Sequence, residues 1–134
     1  MHPSESRFGA DFASRASAHL ETLGATNRGI SLAVLTSEDG FEIAAYRAAA
    51  VSGRIAAMSS SLQALSEAMT REAGLAGTRC LVIEAENGTI IVLGIDSTAP
   101  RMSLAVVASN EETLGTLLWA ARNCCKSLEQ ALQS

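Results

Sequence analysis

The chain has 134 residues, enough for one domain, with 48% hydrophobic residues, only 4% aromatic ones and a net charge of −4. Its ten Lys and Arg residues are scattered, so the clustered cations from which nucleic-acid binding draws its affinity are missing. Three cysteines give no even disulfide framework, the N-terminal MHPSESRFGADF lacks the apolar stretch of a signal peptide, and no window is apolar for long enough to span a membrane. A cytoplasmic protein is the expectation.

In chain order, residues 5–24 are expected to form a helix. Ser4 or Ser6 can cap it, Phe8, Phe12, Ala16, Leu20 and Leu23 recur at helical spacing, and Gly24 can end it. Ile30 to Thr36 and Phe41 to Tyr46 have strand character and flank Ser37-Glu38-Asp39-Gly40, where Asp-Gly signals a hairpin because both residues tolerate positive φ. A second helix is predicted from about Arg54 to Ala73, with Gly74 and Gly77 at its end. Its large side chains, Ile55, Met58, Leu62, Leu65 and Met69, step by three and four and are expected to cover a sheet.

Thr78 to Glu86 and Thr89 to Ile95 read as two further strands joined by Asn87-Gly88, the strongest short hairpin signal here. After a loop containing Pro100 comes a fifth strand, Met102 to Ser109. Asn110 is expected to cap the last helix, with Glu111, Glu112 and Thr113 in its first turn and Leu114, Leu117, Leu118, Ala121, Cys125, Leu128 and Leu132 on its inner face. The fold class is therefore α/β (α+β), one domain over residues 1–134, in the order α-β-β-α-β-β-β-α. Its five-stranded, mostly antiparallel sheet is covered by three helices.

No constellation for chemistry emerges. His2 and His19 are far in sequence from Cys124 and Cys125, and adjacent cysteines on a helix point about 100° apart instead of converging on a metal. Cys80 and Cys125 are expected to be buried core residues, with Cys124 flanking. The chain has no nucleophile elbow, no phosphate-cradling glycine loop, and no base placed beside a nucleophile. Neither a cofactor nor a metal is expected, and no catalytic residue.

The second helix is unusual in also carrying Ala56, Ala57, Ser60, Ser61, Ala64, Ser66 and Ala68. A helix that is small or apolar nearly all round is rarely a solvated surface helix. Either it is sandwiched within one copy, or its small face lets the same helix of a second copy approach across a two-fold axis. Trp119 on the last helix is either an exposed interface anchor or packed on the first helix.

The segment Leu35-Thr36-Ser37-Glu38-Asp39-Gly40-Phe41-Glu42-Ile43, followed by the Ala/Met/Ser-rich helix to Arg71, resembles the Roadblock/LC7 domain. The hairpin from Leu81-Val82-Ile83-Glu84 to Ile90-Ile91-Val92-Leu93 and the strand Leu104-Ala105-Val106-Val107 extend the resemblance over about residues 8–133. It implies a homodimer made by aligned central helices and a paired sheet edge. Carried over, the interface is expected at Ala57, Ser61, Ala64 and Ala68, with Arg79, Leu81 and Ile83 on the edge strand.

The prokaryotic branch of the family resembles regulators of small Ras-like GTPases, which dock on the paired helices. The partner-facing positions expected here are Ser59, Ser60, Gln63 and Ser66. Arg54 and Arg71 flank the helix and are read as solvated, not as arginine fingers. The expected function is thus a non-enzymatic homodimeric regulator or scaffold for a small GTPase. The alternatives are a dimeric adaptor for other signalling or motor assemblies and a small-ligand sensor.

Overall fold

A computed structural model describes residues 3–47, 49–96 and 101–133, with side chains from residue 9 onward. The elements run α1 (Pro3–Thr26), β1 (Ile30–Ser37), β2 (Glu42–Tyr46), α2 (Ala50–Glu72), β3 (Cys80–Ala85), β4 (Gly88–Ile95), β5 (Met102–Ser109) and α3 (Leu114–Gln133). This is the predicted order. The strands form one antiparallel sheet in the order β2-β1-β5-β4-β3, so β1 and β5, distant in sequence, pair at its centre.

Alternation along the strands feeds two layers. On one face Ala33, Leu35, Ile91, Leu93, Leu104 and Val106 meet Phe12, Ala16 and Leu20 of α1 and Leu117, Ala121 and Leu128 of α3 in the main core. On the other face Val34, Val92 and Ala105 form a smaller cluster with Ala56 of α2. The apolar stripes predicted for the first and last helices fall where expected, except that Leu114 is exposed and Cys124 joins Cys125 inside. The helical geometry of α1 breaks at Gly9 (φ 76°, ψ 156°) and continues through Gly24. The side chains of Ser4, Ser6 and Phe8 and the loop at Pro100 lie outside the described residues.

Several local expectations shift for identifiable reasons. The β3–β4 loop is Glu86-Asn87, one residue earlier than Asn87-Gly88, because Ala85 pairs with Gly88. Gly88 belongs to β4, and a Cβ there would lie 2.5 Å from the Ala108 carbonyl oxygen, so the glycine permits close strand approach. The first hairpin does use its glycine for the turn, with Gly40 at φ 91°.

Thr113, not Asn110, caps α3: its Oγ1 accepts from the Thr116 N–H at 3.2 Å. Asn110 instead donates to the Glu86 carbonyl at 2.9 Å, and Glu112 Oε1 accepts from the Gly29 N–H at 3.2 Å. Helix α2 begins four residues before its predicted start. Ser52 Oγ accepts from the Ala49 N–H at 3.1 Å and donates to Glu42 Oε1 at 2.6 Å, which fixes that first turn. At its end the Gly74 and Leu75 N–H groups reach back to Arg71 and Thr70 carbonyls in a Schellman arrangement.

Candidate functional site

Helix α2 lies over the sheet with a face opposite in character to the one predicted. Ser52, Ala56, Ser59 and Ser66 are its buried residues, spaced to place them on one side. Their small side chains let the helix backbone settle close to Val34, Val92 and Ala105. A hydroxyl buried here needs a partner: Ser66 Oγ donates to the Gln63 carbonyl at 3.0 Å, as Ser52 does to Glu42.

The large side chains turn outward instead. Met58, Leu65 and Met69 are 58%, 59% and 65% exposed, and Val51 is also exposed, while Ile55 and Leu62 stay half-buried at the flank. Sequence reasoning misses these outward residues as surface features because their periodicity equals that of a core stripe. The signal that could find the inner face is the matching 3–4 spacing of Ser52, Ala56, Ser59 and Ser66.

The four expected partner-facing positions are corrected accordingly. Ser59 and Ser66 are 2% and 8% exposed against the sheet, so neither is available to a docking protein. Ser60 is half-buried and donates to the Glu38 carbonyl at 3.1 Å. Gln63 is half-buried too, with a buried Nε2 that finds no acceptor among the described residues.

Ala57, Ser61, Ala64 and Ala68 are exposed. On an ideal helix they form a stripe about 100° around from the Met58–Leu65–Met69 stripe, both pointing away from the sheet. Arg79 is exposed just ahead of β3. Leu81 packs on the α2-side cluster, and Ile83, two residues on, shares that face at 41% exposure. Strand β3 pairs only with β4, leaving its other edge open over six residues. An open edge without a lysine or proline is a template for another strand.

Between α2 and the ends of β1 and β5 lies a polar cavity of about 260 Å³, lined by Glu38, Glu67, Asp96 and Arg101 among others. Arg101 donates to Glu67 and, at 3.2 Å, to Asp96, an arrangement that clasps α2 to the start of β5. The hydrogen bond and charge of Glu67, then the charge of Asp96, raise the Arg101 pKa further. Among the described residues no three of His, Cys, Asp and Glu converge as metal ligands do. No helix of the described residues is long and apolar enough to cross a membrane. Arg54 and Arg71 are exposed, and Trp119 is 70% exposed at the mouth of a groove between α1 and α3 that also contains His19 and Leu23.

All three cysteines are free thiols. Burial pushes the Cys124 and Cys125 thiols up to about 12. Since the thiolate is the nucleophile, Ellman's reagent at neutral pH is expected to modify half-buried Cys80 first and to reach the pair only on unfolding. Equal rates for all three thiols would contradict this. With the folded pKa raised, the unfolded chain loses these protons first. The contribution to stability is therefore intact below the ordinary value of 9.0 and is lost as pH rises towards about 12.

The model of the family described as the Roadblock/LC7 domain matches residues 19–108. No curated protein matches the sequence. A Roadblock/LC7 domain from Streptomyces avermitilis superposes with a TM-score of 0.79 at 22% identity, covering 88% of this chain and 98% of that one. An MglB with tetrameric arrangement gives 0.80 at 21% identity, covering 94% and 93%. The gliding protein MglB from Thermus thermophilus gives 0.78 at 20% identity, again covering 94% and 93%. At these identities the structures speak for the fold, and the match of the family model over most of the length adds the lineage: this chain belongs to the Roadblock/LC7 domain family.

Proposed function

We propose that this chain is a non-enzymatic homodimeric regulator whose paired α2 helices and joined β3 edges form a platform for a small Ras-like GTPase. The observation that carries this reading is the outward apolar face of α2 together with an unpaired strand edge whose Leu81 and Ile83 lie on the same side of the sheet. Monomeric proteins rarely leave large apolar surfaces in water. An isologous contact through the small-residue stripe of α2 and the β3 edge would bury part of it and leave the Met58–Leu65–Met69 stripe for a partner protein. Self-association is also stated for one structural neighbour, the MglB of tetrameric arrangement.

In the dimer Ala57, Ser61, Ala64 and Ala68 bring the two helix backbones together, and Arg79, Leu81 and Ile83 lie at the strand junction. The GTPase then meets the rest of the α2 surface, where Met58, Leu65 and Met69 supply apolar contacts. This assignment replaces Ser59 and Ser66, which the sheet already covers. The expected action is on the GTPase's own conformation, with no group donated to its chemistry.

The test is capture by immobilised protein from lysates loaded with a non-hydrolysable GTP analogue or with GDP. A Ras-like GTPase retained only in the GTP-loaded sample, and lost with Met69→Glu, is the expected result. Equal capture in both nucleotide states would favour the adaptor reading. Capture of no GTPase in either state would remove the partner from the proposal.

A further inference from the structure

On the sheet face away from α2, helix α3 packs over β4 and β5 and leaves the middle of β3 uncovered, although Cys80 at the start of β3 packs on the main core. Val82, whose cross-strand partner Ile91 lies in the main core, is consequently 39% exposed on that face. At the start of this uncovered strip, between β3, the end of β4 and α3, is an open cleft of about 550 Å³. Arg79, Arg122 and Lys126 line it, with Leu93 and Ile95 beneath. Thus three of the ten basic residues of an otherwise acidic chain gather at one place.

None of the three cations has an ion-pair partner among the described residues. Of the two acids lining the same cleft, Asp96 is engaged by Arg101 and Glu129 is the other. The cleft thus keeps an excess of positive charge next to apolar surface.

We infer that this cleft, with the bare strip of β3 that continues from it, is a docking groove for an acidic amphipathic segment of a partner protein. Charge complementarity selects the carboxylates and sets their register. The apolar side chains of the segment would cover Val82. A lone phosphate would satisfy the cations but leave the strip wet. The groove lies on the sheet face opposite α2, so an occupant here would not compete with a protein bound there, and of its three cations only Arg79 is shared with the proposed strand junction.

The test is fluorescence anisotropy with a fluorescein-labelled peptide of alternating Glu and Leu, using full-length protein. Saturable binding that weakens with added salt is expected, with no binding of the charge-reversed Lys/Leu peptide. Arg122→Glu combined with Lys126→Glu should weaken it about tenfold or more, and Val82→Ser about threefold, at unchanged circular dichroism.

Failure of the acidic peptide to bind, or wild-type affinity in the double variant, overturns the proposal. An unchanged affinity in Val82→Ser would reduce the interaction to diffuse charge attraction and overturn it too. Full displacement by millimolar inorganic phosphate would make the cleft a small-anion site instead. A change in the solution mass of the double variant would make a second copy of the chain the occupant.

Discussion

Ala64→Arg is expected to turn a two-copy assembly into single copies of 13.9 kDa, read by light scattering coupled to size exclusion. Ala64 is exposed in the small-residue stripe of α2. If that stripe is where two helix backbones meet, an arginine there faces its own symmetry mate. Both steric bulk and a pair of like charges then enter a dry contact. Leaving a charge buried without a partner costs several kcal/mol, so dimer affinity should fall by about a hundredfold or more.

Leu65→Glu probes the neighbouring large stripe on the same outward side and should weaken capture of the GTPase while leaving the dimer mass and the fold intact. If the wild-type chain has dimer mass and Ala64→Arg keeps it, the copies meet through another surface. A wild-type mass of one copy at micromolar concentration would remove the platform itself.

Leu104→Ala should have the largest effect on stability. Leu104 is fully buried on β5, between Leu35 of β1 and Leu93 of β4, and faces both α1 and α3 across the main core. Removing its side chain from a close-packed site costs about 2–5 kcal/mol, since the surrounding core closes the cavity only in part. Against a typical domain stability of about 5–15 kcal/mol, that is a large fraction. Urea unfolding should show a lowered midpoint with an unchanged slope. A loss below about 1 kcal/mol would mean that the two helices collapse into the gap, and that the core is looser than its burial indicates.

The strands and the two outer helices are legible in the sequence because their patterns admit one solution. In β1 and β5 the apolar runs are too short for helices and are bounded by turn residues, and in α1 the stripe Phe12–Ala16–Leu20–Leu23 has polar residues on the other side. Helix α2 is not legible in the same way. It carries three stripes of similar 3–4 period, one of large and two of small side chains, and periodicity alone does not say which one meets the sheet.

The assumption that bulk goes inward fails there. The same assumption makes Ser59 and Ser66 look available when the sheet covers them. The one-residue shift at Asn87-Gly88 has a comparable origin: the glycine answers to the Ala108 carbonyl across the ladder instead of to the turn. Both misreadings come from tertiary contacts that no local window contains.

The central ladder joins Ile30 to Ala108 and Ser37 to Met102, so the middle of the sheet is its least local part. During synthesis β1–β2 and β3–β4 can each zip up as hairpins, yet the inner edges of β1 and β4 stay unsatisfied until β5 has left the ribosome. Closure must await that late strand, which slows folding by the entropy of the long loop it ends. In that interval the nascent chain displays bare apolar edges of the kind that chaperones shield. A chain ending before Met102 would retain those edges permanently and is expected to aggregate.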